Sequence, residues 1–170
     1  MASGAAPRLG LIARAARLLT AALPYAWPIR VGLGVVFLLS STPKLRDLAG
    51  FVGVVEQYAI LPEALVVPFA YALAFAEFLL GVLLVLGFLT RLAALGGAGL
   101  MVIFVIALVY NLARGVTPEC GCFEVGGSTG SRIDWWLVAR DVLYLALFAI
   151  TFFDPARRFS VDRWIDRDPR

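Results

Sequence analysis

The chain contains two long apolar stretches that are almost free of charge. Residues 92–113 hold no charged side chain, and residues 64–90 hold only Glu77. A helix needs about 20 mostly apolar residues to cross the hydrocarbon core of a bilayer. The pattern therefore predicts membrane spans over residues 65–89 and 92–112.

Two further apolar stretches flank this pair. One covers residues 133–153 and carries Arg140 and Asp141 in its first half. The other covers residues 25–42 and carries Arg30 near its start. Backbone N–H and C=O groups in hydrocarbon must bond to one another, so spans of this length are helices. The sequence predicts an all-α integral membrane protein built as a four-helix bundle.

The segments between and beyond the spans differ in character. Residues 1–24 carry three arginines and place their apolar residues mostly on one side of a helix. This predicts a retained amphipathic helix on the anionic inner leaflet rather than a signal peptide. Residues 45–60 predict a short interfacial helix or re-entrant segment after the first span. Residues 113–132 form a loop that holds both cysteines, and residues 154–170 form a charged cytoplasmic tail.

Basic residues are unevenly distributed about the predicted spans. Nine lie in the N-terminal segment, the turn between the second and third spans, and the tail. The other side has four, which are Lys44, Arg46, Arg114 and Arg132. Cytoplasmic loops of membrane proteins carry the excess of Lys and Arg. We therefore expect a multi-pass protein of the bacterial cytoplasmic (inner) membrane, with both termini cytoplasmic and the cysteine loop extracytoplasmic.

Composition excludes several kinds of chemistry. Of the 170 residues, 61% are hydrophobic and 16% are charged, whereas soluble domains are about 25% charged. The chain has no histidine and two cysteines. This excludes a histidine general base, a histidine-ligated metal or haem, and an iron–sulfur cluster within one chain. There is no flavin fingerprint, and the dispersed basic residues give no sign of nucleic-acid binding.

The cysteine loop carries the feature best suited to chemistry. Cys120 and Cys122 are separated by Gly121 alone and are expected in an oxidising compartment, where such thiols form disulfides. A ring closed between such near neighbours is strained, and strained disulfides are the more readily reduced ones. Glu119 and Glu124 disfavour a permanent thiolate and fit a resting disulfide that another protein's thiolate attacks. A passive local clasp is the alternative interpretation.

Several short motifs resemble those of a known family. They read Glu-Cys-Gly-Cys-Phe at 119–123, Ile-Asp-Trp at 133–135 and Arg-Asp at 140–141. Arg30 early in the first span, Lys44 after that span and Glu77 in the second span also fit the family's pattern. Together they resemble the MauE branch of the DoxX/MauE family of redox-associated membrane proteins.

The resemblance covers residues 24–153 and departs from the family at Glu124, where members usually have glycine. It implies a four-helix inner-membrane protein linked to redox or disulfide chemistry. The MauE branch is associated with methylamine utilisation, where it is thought to help a disulfide-rich dehydrogenase subunit mature.

Charged residues inside the spans form a second group of candidates. Glu77 falls near the middle of its span, and a charge at that depth is costly unless it is paired. We predict that Glu77 faces the bundle interior and meets Arg30 or Arg140, with Asp141 as a further buried charge. A protonated Glu77, with arginines that extend to the membrane surfaces, is the alternative.

Two classes of function fit these observations. In the first, Cys120 and Cys122 are the catalytic pair of a thiol–disulfide oxidoreductase whose partner is an extracytoplasmic thioredoxin-like or disulfide-containing protein. A quinone would reoxidise the pair at Trp135, Trp136 and Arg140, where the chain re-enters the membrane. Anchoring of the helix at the membrane interface is the alternative role of the two tryptophans. In the second, the protein is a non-catalytic membrane anchor or assembly subunit. Transport is the weakest hypothesis, because the spans have few polar residues and no inverted repeat.

Overall fold

The structure, a computed structural model, describes residues 26–116 and 134–153. These residues form five helices and the segments that connect them. The helices are α1 (Ala26–Arg46), α2 (Leu48–Gln57), α3 (Glu63–Leu86), α4 (Thr90–Ala113) and α5 (Trp135–Phe153). Helices α3, α4 and α5 are long and apolar enough to cross a membrane. The predicted all-α membrane bundle is confirmed. The predicted N-terminal segment, most of the cysteine loop and the tail lie outside the described residues.

Helices α1 and α3 each bury a stripe of side chains that are seven residues apart. Positions three, four and seven apart share one face of a helix, so this spacing turns one side of each helix toward its neighbours. Both stripes contain charged residues as well as apolar ones. The stripes are Arg30, Phe37 and Lys44 in α1, and Ala70, Glu77 and Leu84 in α3.

The backbones of α1 and α3 touch where both helices carry glycine. A Cβ atom placed on Gly34 would lie 2.9 Å from the Gly81 carbonyl oxygen, which leaves no room for a side chain. Small residues allow this close approach of membrane helices. Because Gly34 faces Gly81, and the later residue Lys44 faces the earlier residue Glu77, the two helices are antiparallel.

Phe148 of α5 lies at the centre of the main apolar core. Its ring packs edge-to-face against Phe37 of α1, with the ring centroids 5.3 Å apart. The same ring fills the space that a side chain at Gly97 of α4 would occupy. Phe148 therefore ties α5 to both α1 and α4.

Helix α1 continues beyond residue 42, where the sequence predicts the first span to end. Pro43 has no N–H to donate to the preceding turn of the helix. Its carbonyl still accepts a hydrogen bond from the Asp47 N–H at 3.0 Å, so the helical hydrogen bonds continue past the proline. The chain then restarts as α2, whose N-cap is the Asp47 side chain, accepting from the Gly50 N–H at 2.9 Å. Helix α2 buries Phe51 and Val54 in a cluster with residues of the first half of α3. The segment predicted over 45–60 is therefore helical, and its apolar side packs on the bundle.

Candidate functional site

A buried ion pair joins α1 to α3. Lys44 Nζ and Glu77 Oε2 are 2.5 Å apart, and the two side chains are only 1% and 3% exposed. Buried charges in membrane proteins are costly, and they concentrate at positions that matter for function. Glu77 faces the bundle interior, in the second half of α3, and its charge is balanced there.

The sequence predicts an arginine as the partner of Glu77, and this prediction is wrong because Lys44 makes the ion pair. Arg30 lies 14 residues before Lys44, which is about 21 Å along α1 at the helical rise of 1.5 Å per residue. Arg30 therefore lies near the other end of the contact between α1 and α3, far from Glu77. Arg140 forms a salt bridge with its own neighbour, Asp141.

The sequence does not predict Lys44 as the partner of Glu77, because the predicted first span ends before Pro43 and leaves this lysine in an outer loop. Its spacing of seven residues from Phe37 and fourteen from Arg30 is the signal that places it on the buried stripe of α1. Lys44 accordingly does not belong to the basic residues of the outer side. The predicted outer group then consists of Arg46, Arg114 and Arg132, and the excess of basic residues on the side predicted to be cytoplasmic increases.

The ammonium group of Lys44 is surrounded by three further side chains. It donates a hydrogen bond to Ser40 Oγ at 3.3 Å, one helical turn earlier. Its nitrogen lies 5.1 Å from the ring centroid of Phe51 and 5.4 Å from that of Phe104. These distances are typical of cation–π contacts, which hold a desolvated cation in place.

A second ion pair lies on the first half of α5. Arg140 donates to Asp141 Oδ1 from Nε at 3.0 Å and from Nη2 at 2.9 Å. Asp141 is buried, whereas Arg140 is partly exposed, and its guanidinium lies 5.8 Å from the Tyr144 ring centroid. The sequence singled out both residues, and the structure pairs them with each other.

A small cavity brings Glu77 next to the second ion pair. Its volume is about 30 Å³, which is room for one water molecule. Glu77 of α3 and the adjacent pair Arg140 and Asp141 of α5 line it, together with Ser40 of α1. Two positive and two negative charges therefore share one region of the bundle and sum to zero. A proton can pass from Lys44 to Glu77 without changing the net charge of this region, whereas the Arg140 guanidinium keeps its protons.

Arg30 belongs to a different part of the bundle, the turn between α3 and α4. Its guanidinium lies so close to Gly87 that a Cβ atom there would be 2.5 Å from Nη1. Gly87 ends α3 in the left-handed conformation, with φ of 68°, which favours glycine. A positive group at the C-terminus of a helix complements the helix dipole. Buried Arg30 thus supports the end of α3.

Comparison with known proteins settles the family. Residues 16–154 match the family described as methylamine utilisation protein MauE. The chain belongs to the MauE family. The family assignment made from the cysteine and last-span motifs is confirmed, and the match includes both ion pairs and both cysteines.

Several curated relatives carry the name methylamine utilization protein MauE. That of Paracoccus denitrificans is 34% identical over 122 residues, which are 71% of this chain and 64% of the relative. That of Methylorubrum extorquens is 40% identical over 129 residues, which are 75% of this chain and 68% of the relative. That of Methylophilus methylotrophus is 38% identical over 109 residues, or 64% of this chain and 57% of the relative. The chain thus spans about two thirds of the length of these relatives, and no solved structure matches it significantly.

The cysteine pair of this MauE protein lies in a segment that connects two membrane helices. Cys120 and Cys122 are outside the described residues, between the end of α4 at Ala113 and the start of α5 at Trp135. Trp135 and Trp136 are 63% and 75% exposed, so the beginning of α5 presents two indole rings outward. In the described ranges, no three His, Cys, Asp or Glu side chains are grouped in a way that could hold a metal ion.

Proposed function

We propose that this MauE protein is a membrane thiol–disulfide redox protein that supports methylamine utilisation. The observation that carries the proposal is the Cys120-Gly121-Cys122 pair, placed by the sequence between two apolar helices of a MauE-family membrane bundle. The relatives' name supplies the link to methylamine. The exchange would support disulfide formation in an exported protein or the maturation of that protein.

The exchange needs one disulfide and one attacking thiolate. A thiolate of an extracytoplasmic thioredoxin-like or disulfide-containing partner attacks one sulfur of the Cys120–Cys122 disulfide, forming a mixed disulfide and releasing the other cysteine as a thiolate. A second thiolate of the partner then attacks the mixed disulfide. The partner leaves with a disulfide, and this protein keeps two reduced cysteines. Two electrons have passed from the partner to Cys120 and Cys122.

The reduced pair must be reoxidised, and a quinone dissolved in the bilayer suits that task. When bound, a quinone supplies a two-electron oxidant that also takes up the two thiol protons. Trp135, Trp136 and Arg140 would hold it, because two exposed indole rings and a partly exposed guanidinium occupy the first turns of α5. Arg140 can donate hydrogen bonds to a carbonyl oxygen, and Asp141 keeps it in position.

The proposed location is the bacterial cytoplasmic membrane, crossed four times by α1, α3, α4 and α5. The excess of basic residues in the N-terminal segment, the turn after α3 and the tail supports cytoplasmic termini. This orientation puts the cysteine segment in the oxidising compartment, where a disulfide persists.

Trapping a mixed disulfide tests the proposed exchange. In a Cys122→Ser variant, the Cys120 thiolate can attack the disulfide of the oxidised partner, which is the reverse of the last step above. The mixed disulfide then persists, because Cys122 is no longer there to displace the partner. We expect a partner linked to this variant that is released by reductant, and none linked to the Cys120→Ser/Cys122→Ser control. Because the order of attack on the two sulfurs is open, Cys120→Ser is tested in parallel. If neither single variant traps a protein, the disulfide-exchange function is wrong.

Growth on methylamine tests the biological setting. In the native host, deletion of the gene should abolish growth with methylamine as the nitrogen source, while growth on ammonium continues. The wild-type gene should restore growth, and the Cys120→Ser/Cys122→Ser variant should not. If the double variant restores growth fully, the alternative holds, and the protein is an anchor or assembly subunit with a dispensable disulfide.

A further inference from the structure

An apolar cavity of about 250 Å³ lies between α2, α3, α4 and the segment 58–61. A cavity of about 150 Å³ lined by aliphatic and aromatic side chains holds a benzene ring in an engineered protein. This cavity is larger and accommodates a ring with substituents. Each of its four walls contributes an aromatic side chain: Phe51, Tyr58, Phe69 and Phe104. Aromatic walls favour a flat ring, which stacks or packs edge-on against them.

The cavity opens toward the hydrocarbon of the membrane. Ile103 and Ile106 line it and are 47% and 63% exposed, on helix α4, which is long and apolar enough to span a bilayer. Exposed apolar side chains of such a helix face acyl chains. An occupant therefore enters from within the bilayer and must be soluble in lipid.

Tyr58 gives this apolar cavity a hydrogen-bonding group. Burial, and to a smaller extent the charge of Asp141, raise the pKa of Tyr58 to about 12. The phenol therefore keeps its proton at physiological pH and remains a donor. Tyr58 also packs on the cluster formed by Leu108 and Leu137, so the cavity adjoins the first turns of α5.

Phe104 separates this cavity from the buried charges. It lines the apolar cavity and also the small cavity that contains Glu77, Arg140 and Asp141. Lys44 Nζ lies within 5.4 Å of the Phe104 ring centroid. A ring held against Phe104 would therefore be one side chain away from the two ion pairs.

We infer that the α2–α3–α4 cavity binds a lipid-soluble compound with a flat ring and an acceptor oxygen, which receives a hydrogen bond from Tyr58. A quinone belongs to this chemical class. The inference depends on the proposed function only for the choice of a quinone as the ring compound. For that quinone, the inference supplies a binding cavity that adjoins the first turns of α5, where Trp135, Trp136 and Arg140 lie.

Photolabelling of the full chain in lipid nanodiscs tests the inference without relying on redox activity. The probe is an azido derivative of a short-tailed ubiquinone, used on the Cys120→Ser/Cys122→Ser protein so that no thiol reacts. We expect labelled peptides from the cavity walls, in 51–61 and 103–107, and competition by decylubiquinone. Decanol, which has a similar tail but no ring, should not compete. Equal competition by decanol would mean a groove for acyl chains and would overturn the inference.

Three substitutions locate the site. Ala107→Phe fills the cavity from α4 and should weaken competition by decylubiquinone at least about ten-fold, whereas Val102→Phe, on an exposed position of α4 outside the lining, should leave it unchanged. Tyr58→Phe keeps the ring and removes one hydrogen bond, which is worth about a five-fold loss. If Ala107→Phe does not fold, Ile106→Trp at the mouth replaces it. Unchanged binding in the cavity-filling variant and in Tyr58→Phe would refute the site.

The two proposals fail in distinguishable ways. Specific labelling of the cavity with no quinone-dependent reoxidation of the wild-type dithiol would leave the cavity in place and remove quinone as the oxidant of the cysteine pair. Reoxidation by quinone with labelling confined to peptides around Trp135 and Trp136 would keep the redox function and overturn the cavity site.

Discussion

Lys44 and Glu77 form an ion pair between α1 and α3 although they are 33 positions apart in the sequence, and both side chains are almost completely buried. The pair lies beside Phe51 and Phe104, and its carboxylate shares a small cavity with Arg140 and Asp141. Helices α1, α3 and α5 thus contribute neighbouring charged side chains whose net charge is zero.

Removing one member of the Lys44–Glu77 pair should destabilise the protein more than removing both. Lys44→Met or Glu77→Gln leaves the other group buried without its counter-charge, which costs about 3–5 kcal/mol for a buried pair. Lys44→Met/Glu77→Gln removes both charges and should recover much of that loss. Thermal unfolding in detergent, followed by circular dichroism, measures the cycle. Additive losses in the double variant would show that the two residues are not coupled.

Gly34 and Gly32 form a matched pair for testing the contact between α1 and α3. A Cβ atom on Gly34 would meet backbone and side-chain atoms of α3 within 3 Å, whereas one on Gly32 meets nothing within 4 Å. Gly34→Ala should lower the free energy of unfolding by about 1–3 kcal/mol, the usual effect of overpacking. Gly32→Ala should be neutral or slightly stabilising, because alanine has the higher helix propensity. Equal melting temperatures for the two variants would contradict the direct backbone contact.

The cysteine pair should be accessible from outside intact cells. After mild reduction, a membrane-impermeant maleimide should label Cys120 and Cys122 without lysis, because the distribution of basic residues predicts cytoplasmic termini and an outer cysteine segment. The control is Ser160→Cys in the Cys120→Ser/Cys122→Ser background, which should be labelled only after lysis. The reverse pattern would invert the proposed orientation.

Cys120 and Cys122 should be joined by a disulfide in protein taken from aerobic cells. Alkylation under non-reducing conditions, followed by mass measurement of the peptide that contains both residues, should show no added alkyl group. Two should appear after reduction. Two alkylated thiols without reduction would contradict a resting disulfide and favour a thiol partner that keeps the pair reduced.

The long apolar helices could be predicted from the sequence because their length and lack of charge reflect the bilayer directly. The Lys44–Glu77 ion pair could not be predicted, because pairing depends on which helices are in contact and on how far along each helix the charged residues lie. The sequence predicts Lys44 in a loop because Pro43 resembles a helix end. One proline removes only a single donor, however, and the helix continues for three more residues. The cavity containing Tyr58 was also beyond prediction, since its walls come from four separate parts of the chain.

The two buried ion pairs differ in how far apart their members are in the sequence, and therefore in when the second charge of each pair is synthesised. Arg140 and Asp141 are consecutive, so α5 enters the membrane with its charges already balanced. Lys44 leaves the ribosome well before Glu77, and in the proposed four-span arrangement α1 alone would bring an unpaired ammonium into the bilayer. In that arrangement we expect stable insertion of α1 to wait for α3, because α3 supplies the counter-charge of Lys44.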